Sequence, residues 1–410
     1  MAESREFTKL LIASFVSQSG SHFLTLALSA FVLMSSGSPI QSGLVFVLSY
    51  LPSILVGTRL GHWVDSHVSR WLIARNELVS ITATLFCALC IQYHLPLAIF
   101  CLVLAGRSML VFIGRAAATK WLKLITPPSI QTGRIKVFYL SFFLSTTVAG
   151  LLAAFVLNHA SIWTIAFIDA FTYLLGMAFY LSLKPLPPQE AQAVTTDTEA
   201  PSLSHTLGTI FSMPAVRISF LIVCFSQAVF QGAYSALVSY LPMKVFQAGY
   251  SGVGAFQLAA SIGITGGFLI NWFAPQLFSE PTTRFPRRAL GTSLVAVMAL
   301  LACAFSATIS YGLFSFFVLN FTYECVWLHH NSEFFRASPK HHAARYQFTL
   351  SSCAAFLMSL LTLSYSAAVE FLGASTGVSL VLGVSLLVFA AGSLLSARRR
   401  SSELAGGTAR

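Results

Sequence analysis

The 410-residue chain is strongly apolar, with 56% hydrophobic and 9% charged residues, where a soluble protein has roughly 45–50% and 25%. So few charges cannot cover a soluble globule of this size, and the composition also excludes a disordered chain and a disulfide-linked secreted scaffold. The formal net charge is +11, which in a soluble protein would suggest nucleic-acid binding. The composition therefore predicts a polytopic membrane protein, and the positions of the basic residues decide what the charge means.

Twelve stretches are long and apolar enough to cross a membrane as helices, because about 20 apolar residues span the hydrocarbon core. They do not alternate apolar and polar residues as barrel strands do. We therefore predict an all-α integral membrane fold of twelve transmembrane helices in two six-helix halves. In chain order the predicted spans are Lys9–Met34, Gln41–His62, Trp71–Tyr93, Leu95–Ala118, Lys136–Leu157, Ser161–Leu183, Val216–Leu241, Tyr250–Phe273, Arg288–Ser306, Tyr311–His330, Tyr346–Glu370 and Thr376–Ala397.

The basic residues predict the orientation of these spans. With twelve spans both termini share one side, and Lys244 alone lies in a loop of the opposite side. Apart from Arg107, the other lysines and arginines lie on the side of the termini, or near enough to extend to it, as we expect for Arg59 and Arg115. The positive-inside rule then makes both termini cytoplasmic in a multi-pass protein of the plasma membrane, the inner membrane of a bacterium. Anionic lipids account for the net charge without nucleic acid.

The longest polar stretch, Lys184–His205, is rich in proline and separates six predicted spans from six. This division is typical of duplicated transporters. The predicted organisation is an N-terminal half (1–184), a cytoplasmic linker (185–207), a C-terminal half (208–397) and a cytoplasmic tail (398–410).

Four ionisable side chains fall well inside the predicted spans, where such a group is costly unless it is paired or hydrated. Arg107 lies ~17 Å along its helix, His22 ~20 Å, Asp169 ~12 Å and Glu324 ~20 Å. A guanidinium at this depth needs an anion or carbonyl groups. We predict that Arg107 binds substrate together with His22 and Gln18, which lie on a polar stripe of the first span.

Glu324 and Asp169 are predicted proton-coupling residues, because burial disfavours the ionised form of a carboxyl group. The alternative for both is a structural role, paired with Arg107 or hydrogen-bonded to serine and threonine on a neighbouring helix. His22 also has two further interpretations, a proton site or a hydrogen-bonded histidine of the helix packing.

The histidines that follow the tenth span raise the possibility of a different class, an integral membrane metal enzyme. His329, His330, Glu333, His341 and His342 cluster there, but their spacing is irregular and lacks the repeated histidine boxes of membrane desaturases. No Walker loop or serine-hydrolase elbow is present. We therefore predict no enzyme activity, no metal and no cofactor.

The loop after the second span carries a known pattern. Gly61, Asp65 and Arg70 stand at the spacing of a signature of the major facilitator superfamily, and in this loop the chain resembles that superfamily. The resemblance implies that these three residues form a cytoplasmic latch between the halves in the outward-facing state. The usual basic, glycine and basic positions are replaced by Ser66, Val68 and Ser69.

The fourth and fifth spans are similar to the drug-and-siderophore exporter branch, which includes the enterobactin exporters. The similar segments are Gly106-Arg107-Ser108, Gly114-Arg115-Ala116-Ala117-Ala118, Leu122, Pro127 and Ala149-Gly150-Leu151-Leu152-Ala153. The Gly-Pro pair of the family's antiporter motif is missing from Val148-Ala149-Gly150.

This resemblance implies proton-coupled export of a small organic molecule, a drug-like compound or a carboxylate siderophore, by alternating access. The expected partners are the substrate, protons and membrane lipids; the sequence predicts no oligomeric state. A solute importer and a lipid flippase of the same fold are the alternatives.

Overall fold

The computed structural model describes residues 2–127, 129–185, 203–277, 287–338 and 343–406, which form helices joined by short connections and contain no β-strand. The helices are α1 (Ala2–Ser36), α2 (Pro39–His67), α3 (Arg70–Gln92), α4 (Leu97–Leu124), α5 (Gln131–Val156), α6 (Ile162–Leu181), α7 (Leu203–Ser212), α8 (Pro214–Ser226), α9 (Gly232–Tyr240), α10 (Gly249–Phe273), α11 (Arg287–Ala304), α12 (Ile309–Ala337), α13 (Ala343–Leu372) and α14 (Ala374–Gly406). Two π-helical turns, Gln227–Gln231 and Leu241–Val245, continue α8 and α9.

Within the described ranges, nine helical segments are long and apolar enough to cross a membrane. Three shorter apolar stretches, Pro39–Leu51, Arg288–Ala304 and Ala374–Ala390, lie in the three remaining predicted spans. The all-helical, multi-pass architecture is confirmed, and every predicted span corresponds to a helix. The number twelve stays a prediction. So do the domain boundaries, since residues 186–202 lie outside the described part and α7 already begins at Leu203, inside the predicted linker.

Local sequence chemistry explains where neighbouring helices separate. Gly37 ends α1 with φ +71°, in the left-handed region that glycine adopts without strain. Ser38 then caps α2, its hydroxyl accepting the backbone N–H of Gln41, and Pro39 occupies the first turn, where a missing N–H costs nothing. The connection between α1 and α2 is therefore short and defined.

The described hydrophobic core is shared at one end of the bundle and divided at the other. We call the end where α1 meets α2 the outer end, following the orientation predicted from the basic residues. At the outer end one cluster of buried side chains includes Phe23 and Ala153 of the N-terminal half and Leu237 and Phe256 of the C-terminal half. At the inner end each half has its own cluster. That of the N-terminal half surrounds Trp121, and that of the C-terminal half includes the buried rings of Phe220 and Phe334.

The two halves meet most closely through α5 and α10 and through α2 and α13. Gly254 makes the first crossing possible, because a Cβ added there would lie 2.3 Å from the Cα of Ala154. Between described residues, the hydrogen bonds that join the halves lie in the middle of the bundle or at its outer end. They are Thr146 to Ser261 (3.0 Å), Ser29 to Ser239 (3.0 Å), and the Ser38 hydroxyl and Ile40 amide to Glu370 (2.7 and 3.0 Å).

Candidate functional site

Arg107 and Asp169 form a buried ion pair inside the N-terminal half. The Arg107 Nη2 lies 2.8 Å from the Asp169 Oδ2, and the two side chains are only 2% and 0% exposed. Thr84 of α3 closes a triangle, since its hydroxyl accepts the Arg107 Nε–H at 3.1 Å and donates to Asp169 at 2.8 Å. Of the interpretations left open for Asp169, the geometry matches the structural one, a carboxylate paired with Arg107.

The hydroxyl groups of Tyr173 and Ser21 extend this network towards α1. Arg107 also donates to the Tyr173 hydroxyl at 3.4 Å, and Tyr173 shares a 2.9 Å hydrogen bond with Ser21. Gly20 lets α1 approach this closely, because a Cβ there would lie 2.7 Å from the Asp169 Oδ1. The helices α1, α3, α4 and α6 therefore hold the pair from all sides, and neither charge is exposed for a ligand.

A second buried carboxyl group, Glu77 of α3, was not singled out from the sequence. Its side chain is 3% exposed and accepts a hydrogen bond from Ser17 of α1 at 2.9 Å. The signal was present, because Glu77 stands seven residues, or ~10 Å, into α3. Arg75 and Asn76 directly before Glu77 give this part of the span the composition of a polar helix end, so the sequence pattern does not mark Glu77 as an embedded residue.

Gln18 and His22 lie on a different surface of α1, together with Arg115 of α4 and Phe142 of α5. The Arg115 guanidinium lies over the Phe142 ring at 4.1 Å and donates to the Gln18 Oε1 at 3.4 Å. The His22 ring meets Phe142 edge-on at 4.9 Å, and its Nε2 is buried without a hydrogen-bond partner among the described residues. Gln18 is thus brought together with Arg115 rather than with Arg107, whereas His22 lies within electrostatic reach of both arginines.

Arg115 differs from Arg107 in being exposed, although helices surround it. The phenol groups of Tyr50 on α2 and Tyr139 on α5 are close enough to interact electrostatically with its charge. Tyr50 is in turn within electrostatic reach of Tyr234 and Tyr323 of the C-terminal half. This surface therefore faces the space between the halves, and Arg115 does not extend away to the headgroups as predicted.

The C-terminal half contributes a polar chain to the same region. The Tyr234 hydroxyl donates to the Gln257 Oε1 at 2.5 Å, and the Gln257 amide donates to Ser261 at 3.1 Å. Ser261 is the residue that meets Thr146 of the other half. The hydrogen-bonded chain therefore runs from Tyr234 of α9 to the α5–α10 crossing.

Glu324 of α12 lies inside the C-terminal half, apart from Arg107. It is 2% exposed, and its Oε1 is buried with no hydrogen-bond partner in the described structure. A Cβ added at Gly267 of α10 would lie 2.9 Å from the Glu324 Cβ, so the absence of a side chain there makes room for the carboxyl group. An ionised carboxylate in such surroundings is costly, whereas a protonated one is tolerated.

The predicted latch is only partly within the described structure. Gly61 and Asp65 belong to α2, but the Asp65 side chain and the surroundings of Gly61 lie outside the described part of the structure. Arg70 begins α3 and donates to the Leu183 carbonyl at 3.0 Å, at the end of α6. A cation at this position satisfies free carbonyls of a helix C-terminus. The latch therefore stays a prediction.

The histidine cluster that suggested a metal enzyme is divided. His329 and His330 lie 5.1 Å apart, ring centroid to ring centroid, and Glu333 pairs with Arg336. His341 and His342 lie outside the described residues. Within the described ranges, no three histidine, cysteine or acidic side chains come together in a way that could hold a metal ion.

Comparison with known proteins gives a consistent result. A family model described as Major Facilitator Superfamily matches residues 10–362. The structure is similar to that of the nucleoside transporter NupG, with 17% identity, a TM-score of 0.71, and coverage of 95% of this chain and 99% of that one. It is also similar to a POT family transporter in complex with thioalcohol conjugated peptide (13%, 0.71, 96% and 96%).

A third similar structure is a bacterial homolog of the human lysosomal transporter Spinster in an inward-facing and unoccupied conformation (14%, 0.68, 90% and 82%). No sequence among the curated proteins matches the chain. At these identities the structural likeness concerns the fold alone.

Proposed function

Because the chain belongs to the major facilitator superfamily, we propose that it is a secondary active transporter that moves a small organic molecule by alternating access. The divided core carries this proposal. The two halves share one apolar core at the outer end and have separate cores at the inner end. A bundle that is joined at one end and split at the other has a path to its centre from one side only, as alternating access requires.

The substrate site is proposed on the surface between the halves that includes Gln18 and His22. A part of the predicted site is revised here: Arg107 already has a carboxylate partner in Asp169, so a contact between Arg107 and substrate requires that pair to break. Separating a buried ion pair is strongly unfavourable. Arg107 is therefore assigned to holding the N-terminal half together.

Glu324 is the proposed proton site. It combines deep burial with the lack of a hydrogen-bond partner at Oε1 among described groups. A carboxyl group without a cation or donor gains more from binding a proton than one in an ion pair does. Asp169 also has an oxygen, Oδ1, without a described hydrogen-bond partner, but its Oδ2 is bound by both Arg107 and Thr84, which makes it the weaker candidate of the two.

Export is the proposed direction, and a drug-like compound or a carboxylate siderophore the proposed substrate, on the strength of the resemblance of the fourth and fifth spans. The bacterial inner membrane with cytoplasmic termini is the proposed location, on the strength of the basic-residue pattern. An importer or a lipid flippase of the same fold would share the divided core, so transport measurements decide between them.

Transport in inverted membrane vesicles with an imposed pH gradient tests the function. We expect one or more members of a panel of metabolites, siderophores and dyes to accumulate with the gradient in vesicles that contain the protein. If no compound moves with the gradient, proton-coupled export is wrong; movement in the opposite direction identifies an importer.

Glu324→Gln tests the proton site. The amide has nearly the shape of the carboxyl group but cannot carry a proton, so gradient-driven accumulation should be lost while exchange at equal pH continues. Glu333→Gln on the same helix is the matched control, because that carboxylate lies near the helix end and pairs with Arg336. Full retention of driven transport in Glu324→Gln would remove Glu324 from the mechanism.

A further inference from the structure

We propose that the space between the two halves binds an organic anion, with Arg115 as the cation that holds its oxyanion group and aromatic side chains around its apolar body. The substrate class is thus a carboxylate, or a similar oxyanion, on an aromatic or apolar framework. This inference rests on the proposed transport function only in that the bound molecule is the one transported.

The first observation is the exposure of Arg115. It lies on α4 eight residues after Arg107, yet it is exposed whereas Arg107 is buried. Its guanidinium is held over Phe142 of α5, the nearby phenols of Tyr139 and Tyr50 come from α5 and α2, and Gln18 lies beside it on α1. An exposed cation within reach of three helices of its own half is positioned to meet a ligand in the space between the halves.

The second observation concerns charge. No described carboxylate lies within 4.0 Å of Arg115, and the groups within electrostatic reach of its charge include two phenols, Tyr50 and Tyr139, and the imidazole of His22. One N–H donates to Gln18 at the long distance of 3.4 Å. A guanidinium has five N–H donors in a planar fork that matches two oxygens of a carboxylate. Most of that donor capacity is left for a ligand oxyanion.

The third observation is His22, which contacts the same ring, Phe142, as Arg115 does. Its Nε2 is buried and has no partner among the described groups, and its ring is fixed edge-on against Phe142. A buried polar atom without a partner is unfavourable, and a turn of the ring that brings the Nε2 to a ligand oxygen or hydroxyl would satisfy it.

The remaining surface favours an apolar or aromatic body on the anion. Phe142 and Tyr139 border Arg115, and Tyr50 connects this surface to Tyr234 and Tyr323 across the space. Sites of this kind combine aromatic walls with a few polar groups that fix the orientation of the ligand. A small inorganic anion would leave most of this wall without a contact.

Binding of matched acids and amides to the purified full-length protein tests the inference. The probes are 1-naphthoate with 1-naphthamide and benzoate with benzamide, which differ only in the anionic group. Apparent Kd values come from the concentration dependence of the melting temperature in detergent. We expect each acid to bind about tenfold to a hundredfold more tightly than its amide, the range for a hydrogen-bonded charge.

In Arg115→Gln the preference for the acid should fall to about onefold, because the amide side chain has no charge. Arg75→Gln, at an exposed arginine of α3, is the matched control and should keep the preference of the unaltered protein. If the unaltered protein binds the amides as well as the acids, or binds neither, or if Arg115→Gln keeps the preference, the inference is overturned.

Should Arg115→Gln unfold, Arg115→Lys carries the test, because it keeps the charge and removes the two-pronged geometry. Its affinity for the acids should fall severalfold and its affinity for the amides should not; unchanged acid binding would overturn the contact. The outcome is separable from that of the transport assay. Arg115-dependent acid binding without any driven transport leaves this inference standing and refutes the proposed function, and driven transport of neutral compounds alone does the reverse.

Discussion

The buried pair of Arg107 and Asp169 allows a quantitative prediction. The Arg107 Nη2 and Asp169 Oδ2 atoms lie 2.8 Å apart in side chains that are 2% and 0% exposed, so removing either charge leaves the other without solvent and without its counter-ion. The usual cost of breaking a buried pair in this way is about 3–5 kcal/mol. We therefore expect Arg107→Met and Asp169→Asn each to lower the stability of the folded protein by that amount.

The double variant distinguishes a structural pair from a substrate contact. Arg107→Met with Asp169→Asn removes both charges, and the asparagine can still accept the hydrogen bond of Thr84. Its stability should be within about 1–2 kcal/mol of the unaltered protein, because replacing both partners of a buried pair is often nearly neutral. Asp169→Asn should be the more damaging single change, since an unpaired carboxylate can bind a proton and a guanidinium stays charged.

Thermal unfolding in detergent gives the order of stabilities, with the loss of the folded peak in size-exclusion chromatography measured as a function of temperature. The expected order is the unaltered protein, the double variant, Arg107→Met and then Asp169→Asn. The double variant should also keep the acid preference described for Arg115. If Arg107→Met melts like the unaltered protein but loses binding of 1-naphthoate, Arg107 contacts the ligand directly and the structural assignment is wrong.

Two further substitutions test how the outer end is held closed. Glu370→Gln weakens a charged cap on the first turn of α2, where the carboxylate accepts hydrogen bonds from Ser38 and a backbone amide. It should favour opening of the outer end by about 1 kcal/mol, which is measured as faster labelling of cysteines introduced there. Unchanged labelling would contradict this prediction. Gly254→Ala should cost about 1–3 kcal/mol, because its methyl group would lie 2.3 Å from the Cα of Ala154. Gly291→Ala, with no heavy atom within 4 Å, is the control and should melt at the same temperature or slightly higher, because alanine is the better helix former. Equal melting of both variants would contradict the close crossing.

The helices themselves follow closely from the sequence, and their ends do so less well. The tenth span was predicted to end at His330, but α12 continues to Ala337, and the fourth was predicted to end at Ala118, but α4 continues to Leu124. The reason is that apolar length measures only the hydrocarbon core. Polar residues such as Ser332 and Lys120 continue a helix beyond it without changing its hydrogen-bonding pattern.

The partners of the embedded charges were much harder to predict. Hydropathy gives the depth of a side chain in the membrane but not the direction in which it points. Arg107 and Asp169 are 62 residues apart in the chain and on different helices, so their pairing depends on how α4 and α6 each pack on α3, whose Thr84 binds both side chains. The approach of α1 to Asp169 depends likewise on the packing, because it requires a residue without a side chain at Gly20.

The two arginines of α4 show what helix geometry alone could have contributed. Eight residues at 3.6 residues per turn separate Arg107 and Arg115 by ~12 Å along the axis and by ~80° around it. This offset gives the two guanidinium groups different neighbours, Asp169 and Thr84 for Arg107 and Phe142 for Arg115. Asp169 neutralises the charge of Arg107 inside the half, whereas Arg115 lies over the ring of Phe142. The positive charge that a substrate anion could recognise is therefore that of Arg115. This is the arginine that its depth in the span alone places nearer the membrane surface.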